Sequence, residues 1–105
     1  MFIIKENSYI TQGINQKIPY KIQLACWQSI DHDLSIGLEV DYLQIFEFNT
    51  IGSRIIEIIH RNEEPVRVKR TILEIADTEI VLILMDKVWA IDRDTAQLML
   101  LPDEY

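Results

Sequence analysis

The chain predicts an α+β domain, with one main amphipathic helix packed on a curved, mostly antiparallel sheet of about five to six strands. Three observations carry that expectation. One stretch, from about Pro19 to Leu34, repeats its apolar residues at helical spacing. Much of the remainder is rich in branched and aromatic residues, cut into short runs by Asn, Asp, Gly and Pro. The loops between those runs are too short for the crossovers that a parallel sheet requires. At 105 residues the chain is expected to form a single domain, 1–105, because two halves would each be too small to bury a core.

Tyr9-Ile10-Thr11-Gln12-Gly13-Ile14 is expected as a short first strand ending in a glycine turn. Pro19 suits a first helical position, where its missing N–H would be unpaired anyway. Gly37 is placed to close the helix in a left-handed cap. Ile18 offers no capping side chain, so packing must fix the start. The helix carries two apolar stripes: Ile22, Ala25, Cys26 and Ile30, and beside them Tyr20, Leu24, Trp27 and Leu34. Only Lys21, Gln28, His32 and Ser35 are left for water. One sheet needs an apolar arc of only about 100°. The extra width predicts a second cover, supplied by the curved sheet, by the chain's own ends, or by a second copy in a homodimer.

Val40 to Phe48 has strand composition and is followed by Asn49-Thr50-Ile51-Gly52-Ser53 as a hairpin loop. Arg54 to Arg61 is the next strand, and Asn62-Glu63-Glu64-Pro65 the next turn. Val66 to Ala76 alternates imperfectly, which predicts a bulge near Arg70-Thr71. Ile80 to Met85 fits either a strand or a buried helical turn. Lys87 to Asp92 and Thr95 to Leu101 flank Arg93-Asp94 as a tight hairpin, and Pro102 ends the last strand. Met99, Leu100 and Leu101 run without alternation, so both faces of that strand should be covered. The tail after it is expected to tuck against the second stripe of the helix.

The chemistry-bearing residues are few. One cysteine excludes a disulfide framework and a cysteine-based zinc site, and Cys26, between Ala25 and Trp27, is expected as a small core residue. His32 lies on the polar strip of the helix, where neighbouring Asp31 and Asp33 point elsewhere. His60 is expected as a plain surface or strand-end histidine. No Gly-x-Ser-x-Gly elbow, Walker loop or Gly-x-Gly-x-x-Gly turn occurs. The expectation is a non-enzyme with no catalytic residue, no cofactor and no metal. The amino terminus lacks a signal-peptide pattern and no apolar run is long enough to cross a bilayer, so no membrane contact and a cytoplasmic location are expected.

Charge placement says more. The formal net charge is −7, which argues against direct nucleic-acid binding. Residues 1–50 are net −3, residues 51–70 net +2, and residues 71–105 net −6. A basic hairpin therefore sits in an acidic chain. Arg61, Arg67, Lys69 and Arg70 either pair with cross-strand Glu57, Glu74 and others or form part of a two-faced surface that orients a partner. The acidic counterpart is Asp92, Asp94, Asp103 and Glu104, with Tyr105 beside them.

Several segments together resemble a family of small proteins from Gram-positive bacteria and their phages, domain of unknown function family 960. They are Tyr9-Ile10-Thr11-Gln12-Gly13-Ile14, Ile22-Gln23-Leu24 with Trp27 and Ile30-Asp31, and Asp41-Tyr42-Leu43-Gln44-Ile45-Phe46-Glu47. His60-Arg61-Asn62-Glu63-Glu64-Pro65 and Met99-Leu100-Leu101-Pro102-Asp103-Glu104-Tyr105 complete the set, in the expected order over nearly the whole chain. The resemblance departs at the last hairpin turn, where the family usually has a glycine and this chain has Asp92-Arg93-Asp94. It implies a single α+β domain of bacterial or phage origin and brings no activity or catalytic residue. The function expected is that of a small acidic module that binds or regulates another protein. The alternative is a phage or mobile-element inhibitor of a host nucleic-acid enzyme, as anti-CRISPR proteins are, with acids of residues 71–105 standing in for phosphates.

Overall fold

A computed structural model describes residues 8–75, 87–93 and 96–105. Among these residues two helices and six strands follow one another: β1 (Ser8–Ile10), α1 (Gln12–Lys17), α2 (Tyr20–Ser35), β2 (Leu43–Gly52), β3 (Ile55–Asn62), β4 (Arg67–Glu74), β5 (Val88–Asp92) and β6 (Gln97–Leu100). A single 3₁₀ turn, Pro102–Glu104, closes the chain. The strands form one open sheet in the order β1-β6-β5-β2-β3-β4. Among the described residues only β1 and β6 run parallel; the other neighbours are antiparallel. The α+β expectation holds. The Ile80–Met85 run lies outside the described residues.

Strand alternation sets the core. Phe46 and Phe48 of β2, Ile56 and Ile58 of β3, Val88 and Ala90 of β5 and Met99 of β6 are buried with Ile22, Cys26 and Ile30 of α2. Ile14 and Ile18, four residues apart, add the α1 end of that cluster. Burial pushes the Cys26 thiol far above its ordinary range, so it behaves as a small apolar side chain. Gly37 closes α2 with a φ of +80°, in the left-handed region. No side chain caps the start of α2, whose cap position is Pro19, one residue later than expected, so the helix proper begins at Tyr20.

Three local expectations change. The glycine turn is instead the start of α1: Thr11 caps it, its Oγ1 accepting from the Ile14 N–H at 3.3 Å. Gly13 serves a close approach, since a Cβ there would lie 2.7 Å from the Glu104 carboxylate. β2 runs on through Asn49 and Thr50, and the turn shifts to Ser53-Arg54, with Arg54 at a φ of +63° and an irregularity between Thr50 and Gly52. The β3–β4 register is unbroken from Ile55↔Glu74 to Asn62↔Arg67, so β4 has no bulge near Arg70-Thr71. Its alternation is loose because its outer row is open to water and its inner row is only partly covered.

The double cover of α2 is not observed among the described residues. Ile22, Cys26 and Ile30 of the first stripe are buried and Ala25 partly so, but Tyr20 and Leu24 of the second are exposed, and Trp27 and Leu34 only half-buried. The tail does not reach that stripe. Met99, Leu100 and Leu101 are all buried, as their unbroken run predicts, while Tyr105 turns onto Trp89, ring centroids 5.7 Å apart.

Candidate functional site

The same alternation that buries Phe46, Phe48, Ile56 and Ile58 also carries Gln44, His60 and Asn62 onto the inner face. All three are buried, and α2 brings Ser29 and Asp33 down to them. His60, expected as a surface or strand-end histidine, is only 3% exposed and stacks on Phe46 at a centroid distance of 4.4 Å. The expectation failed because it judged His60 by its nearness to a turn. Its phase in β3, two residues from Ile58 and four from Ile56, points it inward.

The hydrogen bonds fix the direction of this network. Asn62 Nδ2 donates to the Pro65 carbonyl at 2.6 Å, which leaves Oδ1 as acceptor. Gln44 Nε2 donates to that oxygen at 2.7 Å, so Gln44 Oε1 must accept from His60 Nε2, 2.6 Å away. Nδ1 is then the acceptor for the Ser29 hydroxyl at 2.7 Å. Neutral His60 therefore carries its proton on Nε2. Burial lowers its pKa from 6.5 to about 4, with Asp33 opposing the shift and Lys69 and Arg67 adding to it. Asp33 Oδ2 lies 3.9 Å from Nδ1, the same nitrogen that faces Ser29. Its other oxygen takes Lys69 Nζ at 2.7 Å, and Lys69 also donates to the Ser29 carbonyl at 3.0 Å. A cleft of about 390 Å³ opens over this network, walled by Arg67, Val68 and Leu38.

β4 forms the outer rim. It is the edge strand of the sheet among the described residues, so one of its sides has no backbone partner there. Val68 is 47% exposed, Ile72 56%, and Val66, just before the strand, 82%. Arg67 and Lys69 alternate with Val66 and Val68, and Arg70 shares the outer row of Val68 and Ile72.

The basic residues predicted together are divided by strand period. Arg67 and Lys69 share the inner row, opposite Asn62 and His60. Arg61 and Arg70 share the outer face, where Arg61 pairs with Glu47 and Arg70 with Glu57 at 3.1 Å. Arg67 donates to the Glu39 carbonyl and has no carboxylate partner among the described residues. The acidic group lies in the other half of the sheet. Glu104 is a structural cap: its carboxylate accepts from Thr11 Oγ1, the Gly13 N–H and the Leu101 N–H, which holds its pKa below the ordinary value. Asp92 ends β5, Asp103 is exposed in the 3₁₀ turn, and Asp94 lies outside the described residues. Ser29, Asp33, Gln44, Asn62, Val66, Val68 and Ile72 were not singled out from the sequence. Asp33 stands three residues from Ile30 and seven from Cys26, on the buried stripe, a signal its charge obscured.

Comparison with known proteins gives family and fold. The family model described as "Staphylococcal protein of unknown function (DUF960)" matches residues 7–104. Among solved structures, a crystal structure of a protein of unknown function from Enterococcus faecalis is similar at a TM-score of 0.78 and 17% identity, covering 94% of this chain and 90% of that one. No curated protein matches the chain. No helix among the described residues is long and apolar enough to cross a membrane.

Proposed function

The chain belongs to the DUF960 family, and on that premise we propose that it is a non-catalytic module that binds another protein by taking an extended segment of it onto the edge of β4 that has no strand partner among the described residues. The observation that carries this reading is the edge itself: eight residues of strand with Val68 and Ile72, and Val66 just before them, open to water among cations. An added strand would gain backbone hydrogen bonds along β4 and cover apolar surface in the same step. The cytoplasm is the setting this reading assumes.

The polar cluster supports a non-catalytic role. Ser29 and Asp33 face the same imidazole nitrogen, so the carboxylate does not orient the ring from behind as a triad acid would. With its pKa near 4, His60 is a weak base at neutral pH. Ser29 stands inside α2, whose backbone N–H groups are taken up by the helix, so none is presented to a developing oxyanion. The cluster ties α2 to β3 and β4 and holds the rim in place.

The edge reading is tested by selecting random peptides displayed on phage against the native protein and re-testing them on a Val68→Asp, Ile72→Asp double variant. Both side chains are exposed, so the fold should survive, as a matching circular-dichroism melt would verify. Selected peptides are expected to lose more than tenfold in affinity. Peptides that bind both proteins equally, or no enriched peptides at all, overturn the reading.

A further inference from the structure

We infer that the segment received by β4 alternates acidic with branched apolar residues, and that its acids enter the row formed by Arg67 and Lys69. The inference rests on the edge-docking reading and gives that partner a chemistry.

A strand paired to β4 continues its two rows of side chains, because successive residues point to opposite faces. On the inner side its residues would meet Arg67 and Lys69 and, further on, Thr71. On the outer side they would meet Val68, Arg70 and Ile72. The two rows differ in chemistry. Arg70 on the outer row is already matched by Glu57, leaving Val68 and Ile72 to be covered by apolar groups.

The inner row has donors to spare. Lys69 Nζ uses two of its three N–H groups, on Asp33 and Ser29. Asn62 Nδ2 uses one of its two, on Pro65. Arg67 makes one side-chain bond, to a neutral carbonyl. These three residues line the 390 Å³ cleft together. Asp33 also lines it, but its carboxylate is buried against Lys69. Arg67 is left with its charge unmatched among the described residues and favours a carboxylate from the partner. The spare N–H of Lys69, whose charge Asp33 already balances, offers a second acceptor site to the partner residue two positions on. An acid–apolar–acid order reads the same in both directions, so it serves a parallel or an antiparallel strand. A second copy of β4 is a poor occupant, because an Arg67-Val68-Lys69-Arg70 segment would be set against the same cations.

Fluorescence polarisation with labelled eight-residue peptides tests this. One peptide alternates Glu and Val, a second holds the same residues in two blocks, and a third alternates Lys and Val. The alternating Glu/Val peptide is expected to bind at least tenfold tighter than either of the others. Arg67→Glu should remove that preference, and Arg67→Lys should keep most of it. Equal binding of the block peptide, or indifference to Arg67→Glu, overturns the inference. If the displayed-peptide selection yields β4-dependent segments without this alternation, the edge reading stands and this inference falls.

Discussion

The inner face of the sheet is two surfaces that meet at Phe46. On one, Ile56, Ile58, Val88, Ala90 and Met99 pack against Ile22 and Cys26. On the other, Gln44, His60 and Asn62 meet Ser29 and Asp33 of the same helix. Both are buried to a similar degree, yet they hold the helix by different physics. The apolar half is held by area and close packing, which reward volume and tolerate changes of shape. The polar half is held by direction, and no buried polar side-chain atom among the described residues lacks a partner. A group of the right size but the wrong donors should satisfy the first half and disrupt the second.

The largest effect should come from the junction. Phe46→Ala removes a ring that is fully buried and stacked on His60. Urea denaturation should show a loss of about 3–5 kcal/mol. Ile56→Leu, wholly within the apolar half, should cost less than about 1.5 kcal/mol. A large cost for that volume-conserving swap would erase the distinction between the halves.

Acid separates them next. The folded pKa of His60 is about 4, against 6.5 for the free group. The unfolded chain therefore takes up the proton at higher pH than the folded one. Its contribution is complete above pH 6.5 and is lost as pH falls from 6.5 towards 4, by up to ~3 kcal/mol. Melting temperature should fall across that window. His60→Phe keeps the volume, and the part of the slope due to His60 should vanish while carboxylate effects persist at the acid end. At neutral pH the same variant should lose about 2–3 kcal/mol, because Gln44 Oε1 and Ser29 Oγ lose their partners. An unchanged stability would mean that volume governs this half as well.

How legible this was in the sequence depends on the range of the contact. Gly37 and the Met99–Leu101 run were readable because local geometry alone decides them. His60 and Asp33 were readable in principle, since strand and helix periods place them with Ile58 and Ile30, but a polar residue near an element end invites an exposed reading. The basic segment misled in the opposite way: Arg61, Arg67, Lys69 and Arg70 are neighbours in sequence, and the strand period sends them to two faces. What could not be read was the closure of the chain on itself. β1 pairs with β6, and Glu104 reaches Gly13 across 91 residues. No local period predicts either.

That closure sets up the smallest and most selective effect. Gly13 lies in the first turn of α1, where alanine would ordinarily favour the helix by several tenths of a kcal/mol. A Cβ there would sit 2.7 Å from the Glu104 carboxylate, which would have to swing away and release the Thr11, Gly13 and Leu101 bonds. Gly13→Ala in the native background should therefore destabilise slightly or be neutral. In a Glu104→Ala background the clash is gone, and the same substitution should stabilise. The coupling from the double-mutant cycle should be about 1 kcal/mol. Additive effects would mean that Gly13 is not there to admit Glu104, and that the 3₁₀ turn is held by Leu101 and Tyr105 without help from α1.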